Sequence, residues 1–152
     1  MLSIKRILCP VDFSEWACRA VEVADELASR FSAELLLLHV IEPIPLLGGA
    51  AGELGPESFT IAAYDEEMKR AAEVLLKETR NGLKQSRDRA RTMVVHGHAA
   101  SEVLRVASAE KVDLIVVAAR GRSGHHLFGL GSVAERIVRH TTCPVLTIPC
   151  TS

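Results

Sequence analysis

Five short, nearly uninterrupted apolar runs alternate with stretches whose apolar residues recur every three or four positions. That alternation constrains the fold more than any other property of the chain. A strand that is apolar at successive positions is buried on both faces, which is the habit of parallel sheets covered by helices. The runs fall at Ile4–Pro10, Glu34–Ile41, Arg91–Val95, Asp113–Ala118 and Pro144–Ile148. The first helix is expected from Glu15 to about Arg30, capped by Ser14, with Ala17, Ala20, Val21, Ala24, Leu27, Ala28 and Phe31 on its apolar face. A long helix is expected over Glu57–Gln85, burying Met68, Ala71, Ala72, Leu75, Leu76, Thr79 and Leu83. Two shorter ones follow, Ala100–Glu110 with Val103, Leu104, Val106 and Ala107 inward, and Ser132–His140. Strict alternation of strand and helix implies an α/β fold: one domain, with an open five-stranded parallel sheet and helices on both faces.

The length of 152 residues fits that single domain, and a chain of this size buries roughly 68–70% of its unfolded surface. Aromatic residues make up only 4%, so the core is built from Val, Ile, Leu and Ala. A formal net charge of −1, from 18 basic and 19 acidic residues, gives no field to draw nucleic acid or a membrane surface. Cys9, Cys18, Cys143 and Cys150 match no zinc spacing and read as small apolar residues of a reducing compartment. No signal-peptide pattern and no run of spanning length is visible, so a cytoplasmic location is expected. Pro43–Pro56, with three prolines and four glycines, breaks the pattern as a long flexible loop.

Two strand ends carry unusual polar chemistry. The first strand closes on Pro10-Val11-Asp12, and the fourth runs into Ala118-Ala119-Arg120-Gly121. After nine intervening residues Gly121 is followed by Gly131-Ser132-Val133, directly before a helix. Ligands of open parallel sheets bind beyond the carboxyl ends of the strands, where the strand order reverses. If these two strands are neighbours there, Asp12 can accept bonds from ribose hydroxyls or an adenine amino group. The glycine loop and the unpartnered amides of the helix start can hold phosphate. Arg120 and Arg122 read equally as phosphate partners and as solvated loop charges.

Together, Pro10-Val-Asp12, Gly121-x9-Gly131-Ser132 and Cys143-Pro144-Val145 resemble the universal stress protein family over essentially the whole chain. Leu38-His39-Val40 at the end of the second strand and Gly97 before the third helix resemble it too. The resemblance implies strand order 3-2-1-4-5, a Rossmann-like sheet of the adenine nucleotide alpha hydrolase kind. It implies ATP or a related adenine nucleotide, with or without Mg2+, in the crevice. Asp12 and Val40 would flank adenine and ribose, with Pro10 and Val11 leading in, while Gly121, Gly131, Ser132 and Val133 would hold the phosphates. It further implies a nucleotide-dependent regulatory or protective protein of the stress response, acting on an unidentified protein partner. A homodimer would form through the apolar edge strand Pro144–Ile148. The departure from the pattern is Ala118, where the nucleotide-binding motif has its first glycine. A left-handed backbone there would cost an alanine ~1–2 kcal/mol, whereas an ordinary one would leave only a methyl crowding the ligand.

The same residues carry other readings. Asp12 also suits a helix cap or a turn. Gly129-Leu-Gly131-Ser-Val-Ala134 mimics a dinucleotide fingerprint but does not follow the first strand, and no P-loop lysine precedes Ser132. His96, His98, His125 and His126 show no metal-ligand spacing, and Trp16 reads as packing. Without a P-loop lysine or paired metal carboxylates, catalysis would reach slow ATP hydrolysis at most. The alternatives are a universal-stress-type interaction module that does not bind ATP, and an enzyme, either a slow ATP hydrolase or an adenylating enzyme.

Overall fold

The computed structural model describes residues 2–43, 57–121 and 129–150. Its elements are β1 (Arg6–Pro10), α1 (Glu15–Phe31), β2 (Glu34–Ile41), α2 (Glu57–Asn81), β3 (Ala90–His96), α3 (Ala99–Ala109), β4 (Leu114–Ala118), α4 (Ser132–His140) and β5 (Val145–Ile148), with one 3₁₀ turn at Arg87–Arg89. The five strands form one sheet in the order β3-β2-β1-β4-β5. Every neighbouring pair is parallel.

The apolar runs explain the layering. Along β2, Leu35 and Leu37 face one way and Leu36 and Leu38 the other, since successive side chains of a strand point to opposite faces. Leu35 and Leu37 join Ile7, Cys9, Leu114 and Val116 beneath the alanine-rich face of α1 and Leu76 of α2. Leu36 and Leu38 join Leu8, Ile115 and Val117 against Val103 and Val106 of α3 and Ala134 and Ile137 of α4. Ser14 caps α1 as expected, accepting the Ala17 amide at 3.2 Å.

Several expected boundaries move, each for an identifiable reason. β1 begins at Arg6 rather than Ile4, because the Lys5 and Arg6 amides bond to Asp113 Oδ2 at 2.8 and 2.9 Å. α2 stops at Asn81 rather than Gln85. Past Gly82 the chain turns, and the amides of Lys84, Gln85 and Ser86 converge on the buried Asp25 carboxylate of α1, as does the Ser86 hydroxyl. Burial alone would raise the Asp25 pKa, but the bonds from Ser86, Lys84 and Gln85 outweigh it and hold it below the usual carboxylate value.

The expected buried stripe of α2 is too wide. Ala72, Leu76 and, beyond the helix, Leu83 are buried, but Met68, Ala71 and Leu75 are exposed. α2 lies over β2 and the edge strand β3, so little sheet is available to cover a broad face. Phe31 and Cys18 are exposed as well, against expectation. Phe31 is the last residue of α1, next to the left-handed Ser32. No helix among the described residues is long and apolar enough to cross a membrane. The expected loop at Pro43–Pro56 lies, from residue 44 on, outside the described residues, as do Arg122, His125 and His126.

Candidate functional site

From β1 the chain passes to β2 on one side, and β4 lies on the other. The strand order therefore reverses between β1 and β4, and a crevice of about 500 Å³ opens at their carboxyl ends. Three groups of residues named from the sequence line it. Pro10, Val11 and Asp12 come from the end of β1 and Val40 from β2, while Ala118, Arg120 and Gly121 come from β4 and the loop after it. Gly131, Ser132 and Val133 at the start of α4 complete the wall. Arg122 is outside the described residues.

Asp12 sits in a tight turn. Its Oδ1 accepts the Ser14 amide at 3.0 Å and the Ser14 hydroxyl at 2.5 Å. The turn role weighed for Asp12 is therefore present, while the helix cap belongs to Ser14. The other carboxylate oxygen faces β4: a Cβ built on Gly121 would lie 3.0 Å from Asp12 Oδ2. Beside Gly121 the Gly131 amide donates to the Ala119 carbonyl at 2.7 Å. A Cβ on Gly131 would stand 3.3 Å from that carbonyl. Gly131 has φ −62, and Gly121 is not among the positive-φ residues. Glycine at both positions thus serves close approach rather than a left-handed backbone. Ala118 pairs with Ile148 as an ordinary strand residue without positive φ, so of its two expected consequences only the crowding methyl remains.

The start of α4 faces this space with little to answer it from its own chain. Its cap, Gly131, offers no side chain, and the first intrahelical bond is made by Glu135 to the Gly131 carbonyl. The amides of Ser132, Val133 and Ala134 come before that bond and line the crevice at the positive end of the helix dipole. A second helix start at the crevice, α3, differs: the Ala99 amide donates to Glu42 Oε1 at 3.1 Å. One helix end is thus open to an anion and the other already has a carboxylate.

Among the lining residues that sequence reasoning did not assign to the site are His39, Glu42 and Met68. His39 Nδ1 bonds to the Val11 carbonyl at 2.7 Å, and its ring lies against Phe13 with centroids 4.6 Å apart. Neighbouring Cys9 is fully buried, and desolvation pushes its thiol up to about 12, which leaves it unreactive. His96 pairs with Asp65 at 3.1 Å, and the described residues hold no group of three metal-capable side chains.

Residues 3–149 match the model of the universal stress protein family. The chain belongs to that family. The Bacillus subtilis universal stress protein YxiE is 31% identical over 144 residues, covering 94% of this chain and 97% of that one. Among solved structures, the hypothetical protein MJ0577 superimposes with a TM-score of 0.82 at 24% identity, covering 99% of each chain. A universal stress protein from Archaeoglobus fulgidus, solved in complex with dAMP, gives 0.55 at 20% identity, covering 97% of this chain and 99% of that one. These last two likenesses speak for the universal stress protein fold. The strand order inferred from the family resemblance is the one observed.

Proposed function

We propose that this universal stress protein binds an adenine nucleotide, with ATP as the leading candidate, in the crevice between β1 and β4. The observation that carries the reading is the joint presence, in one crevice, of the Asp12 carboxylate and the open amides at the start of α4. An acceptor and an anion-binding helix end in one crevice suit a molecule with donors at one end and phosphates at the other. Adenine and ribose would lie toward Asp12 and Val40, and the phosphates toward Gly121, Gly131, Ser132 and Val133. Arg120 would add a charge-assisted contact to the phosphates. The dAMP complex of the A. fulgidus relative supports an adenine nucleotide as the ligand class. Any Mg2+ would arrive on the polyphosphate, since no metal-binding group occurs among the described residues.

In this reading bound nucleotide biases the segment between Gly121 and Gly131, and with it the contacts of a cytoplasmic stress-response protein with its partners. Edge strand β5, with Leu146 exposed, would join two copies. One observation favours a second reading, an interaction module that holds no ATP: the Ala118 methyl occupies the crevice wall where the nucleotide-binding motif has glycine.

The two readings separate in one experiment. The purified protein is denatured, released nucleotide is identified by chromatography, and the refolded protein is titrated with ATP, ADP and AMP by calorimetry. Adenine nucleotide in the supernatant, or saturable heat below millimolar ATP, supports the first. Neither nucleotide nor heat at millimolar concentration overturns it in favour of the second.

A further inference from the structure

We infer that His39 is a positioning residue for Asp12, gripping the chain on both sides of that carboxylate; the inference deepens the nucleotide reading and rests on it. β1 ends at Pro10, and the Val11 amide extends the ladder by one bond to the Leu38 carbonyl at 2.8 Å. The chain then turns, so the Val11 carbonyl has no strand to meet. Val11 is buried, and a buried carbonyl left unpaired is costly. His39 Nδ1 meets it at 2.7 Å. A carbonyl oxygen only accepts, so Nδ1 carries the hydrogen.

On the other side of Asp12, Phe13 has φ 62. A non-glycine residue keeps that left-handed conformation only where its surroundings over-determine it. The His39 ring provides such a surrounding, lying 4.6 Å from the Phe13 ring at an interplanar angle of 34°. One side chain thus holds the carbonyl before Asp12 and the ring after it. The turn that joins Asp12 Oδ1 to the Ser14 amide is built between these two grips. His39 is also the direct neighbour of Val40, so the same residue ties the two walls on the adenine side together.

The test compares wild type, His39→Phe, which keeps a ring without the donor, and His39→Asn, whose amide nitrogen takes the place of Nδ1. Nitrogen NMR of the nucleotide-free protein reads the His39 tautomer and the Ser14 amide, and calorimetry reads ATP affinity. Hydrogen on Nδ1 is expected in wild type. His39→Phe is expected to shift the Ser14 amide resonance and to weaken ATP binding about tenfold or more. His39→Asn restores the donor without the ring and is expected to recover part of both. Hydrogen on Nε2 alone in wild type overturns the inference, as does a Ser14 resonance that stays in place in His39→Phe or shows no movement back toward the wild-type position in His39→Asn. If His39→Phe does not fold, the tautomer and His39→Asn decide. If wild type binds no adenine nucleotide, the proposed function fails, while the tautomer and the Ser14 resonance still decide the role of His39.

Discussion

A Cβ on Gly121 would meet the end of the Asp12 side chain, whereas one on Gly131 would meet the Ala119 carbonyl. The two alanine substitutions therefore force different neighbours to move. Gly121→Ala displaces only the Asp12 carboxylate. It should weaken ATP binding by about tenfold with less than about 1 kcal/mol lost in stability, as read by calorimetry and denaturant unfolding. Asp12→Ala removes the acceptor and its turn, and the loss of a charged hydrogen-bond partner predicts an affinity at least about tenfold weaker. An unchanged dissociation constant in both variants would remove Asp12 from the site. Ala118 adopts ordinary strand geometry, so Ala118→Gly relieves no backbone strain. It should tighten ATP binding by opening the wall while costing ~0.5–1 kcal/mol of stability through strand entropy. At this scale the sequence shows which residues gather at the crevice but not how they are held. His39 stands out there only as part of a motif, because its partners Val11 and Phe13 lie on another strand's end.

Between elements, Asp25 makes the least expected contact. It follows Ala24 on α1, and its donors are about sixty residues away on the turn after α2. No local pattern announces such a pairing, so a carboxylate on an otherwise apolar helix face reads as solvent-facing. The sequence shows a periodic stripe on α2 but not the width of sheet beneath it, which is why Met68 and Leu75 are exposed while Ala72 and Leu76 are covered. Strand and helix types, their order and the two-faced core follow from apolar runs and helical spacing alone. Asp25→Ala strands three amides and a hydroxyl and should cost about 3 kcal/mol at neutral pH, or roughly 10 °C in melting temperature. Its sign with pH is set by the lowered folded-state pKa. The stabilisation is complete above the ordinary carboxylate pKa and is lost as pH falls through the lowered folded value. Wild type should therefore lose part of its advantage over Asp25→Ala in acid. Parallel stability-against-pH curves for the two proteins would contradict this.

For the molecule as a whole, ligand and assembly are the open variables. If native protein alone binds ATP, a concentration one hundred times the dissociation constant adds about 2.7 kcal/mol of stability, seen as a rise in melting temperature that Asp12→Ala lacks. Sedimentation at micromolar protein should show a dimer, and Leu146→Lys on the β5 edge should shift it to monomer. A Leu146→Lys protein that still sediments as a dimer would move the interface elsewhere. The bond from the Gly131 amide to the Ala119 carbonyl has a further consequence for engineering. It fastens the two ends of the intervening stretch a single hydrogen bond apart, independently of what connects them. Closing a longer loop between fixed ends costs only about 0.6 kcal/mol per doubling of length. An insertion between these two anchors should therefore leave the start of α4 in place as long as the Gly131 amide keeps this bond, which hydrogen exchange at that amide would report.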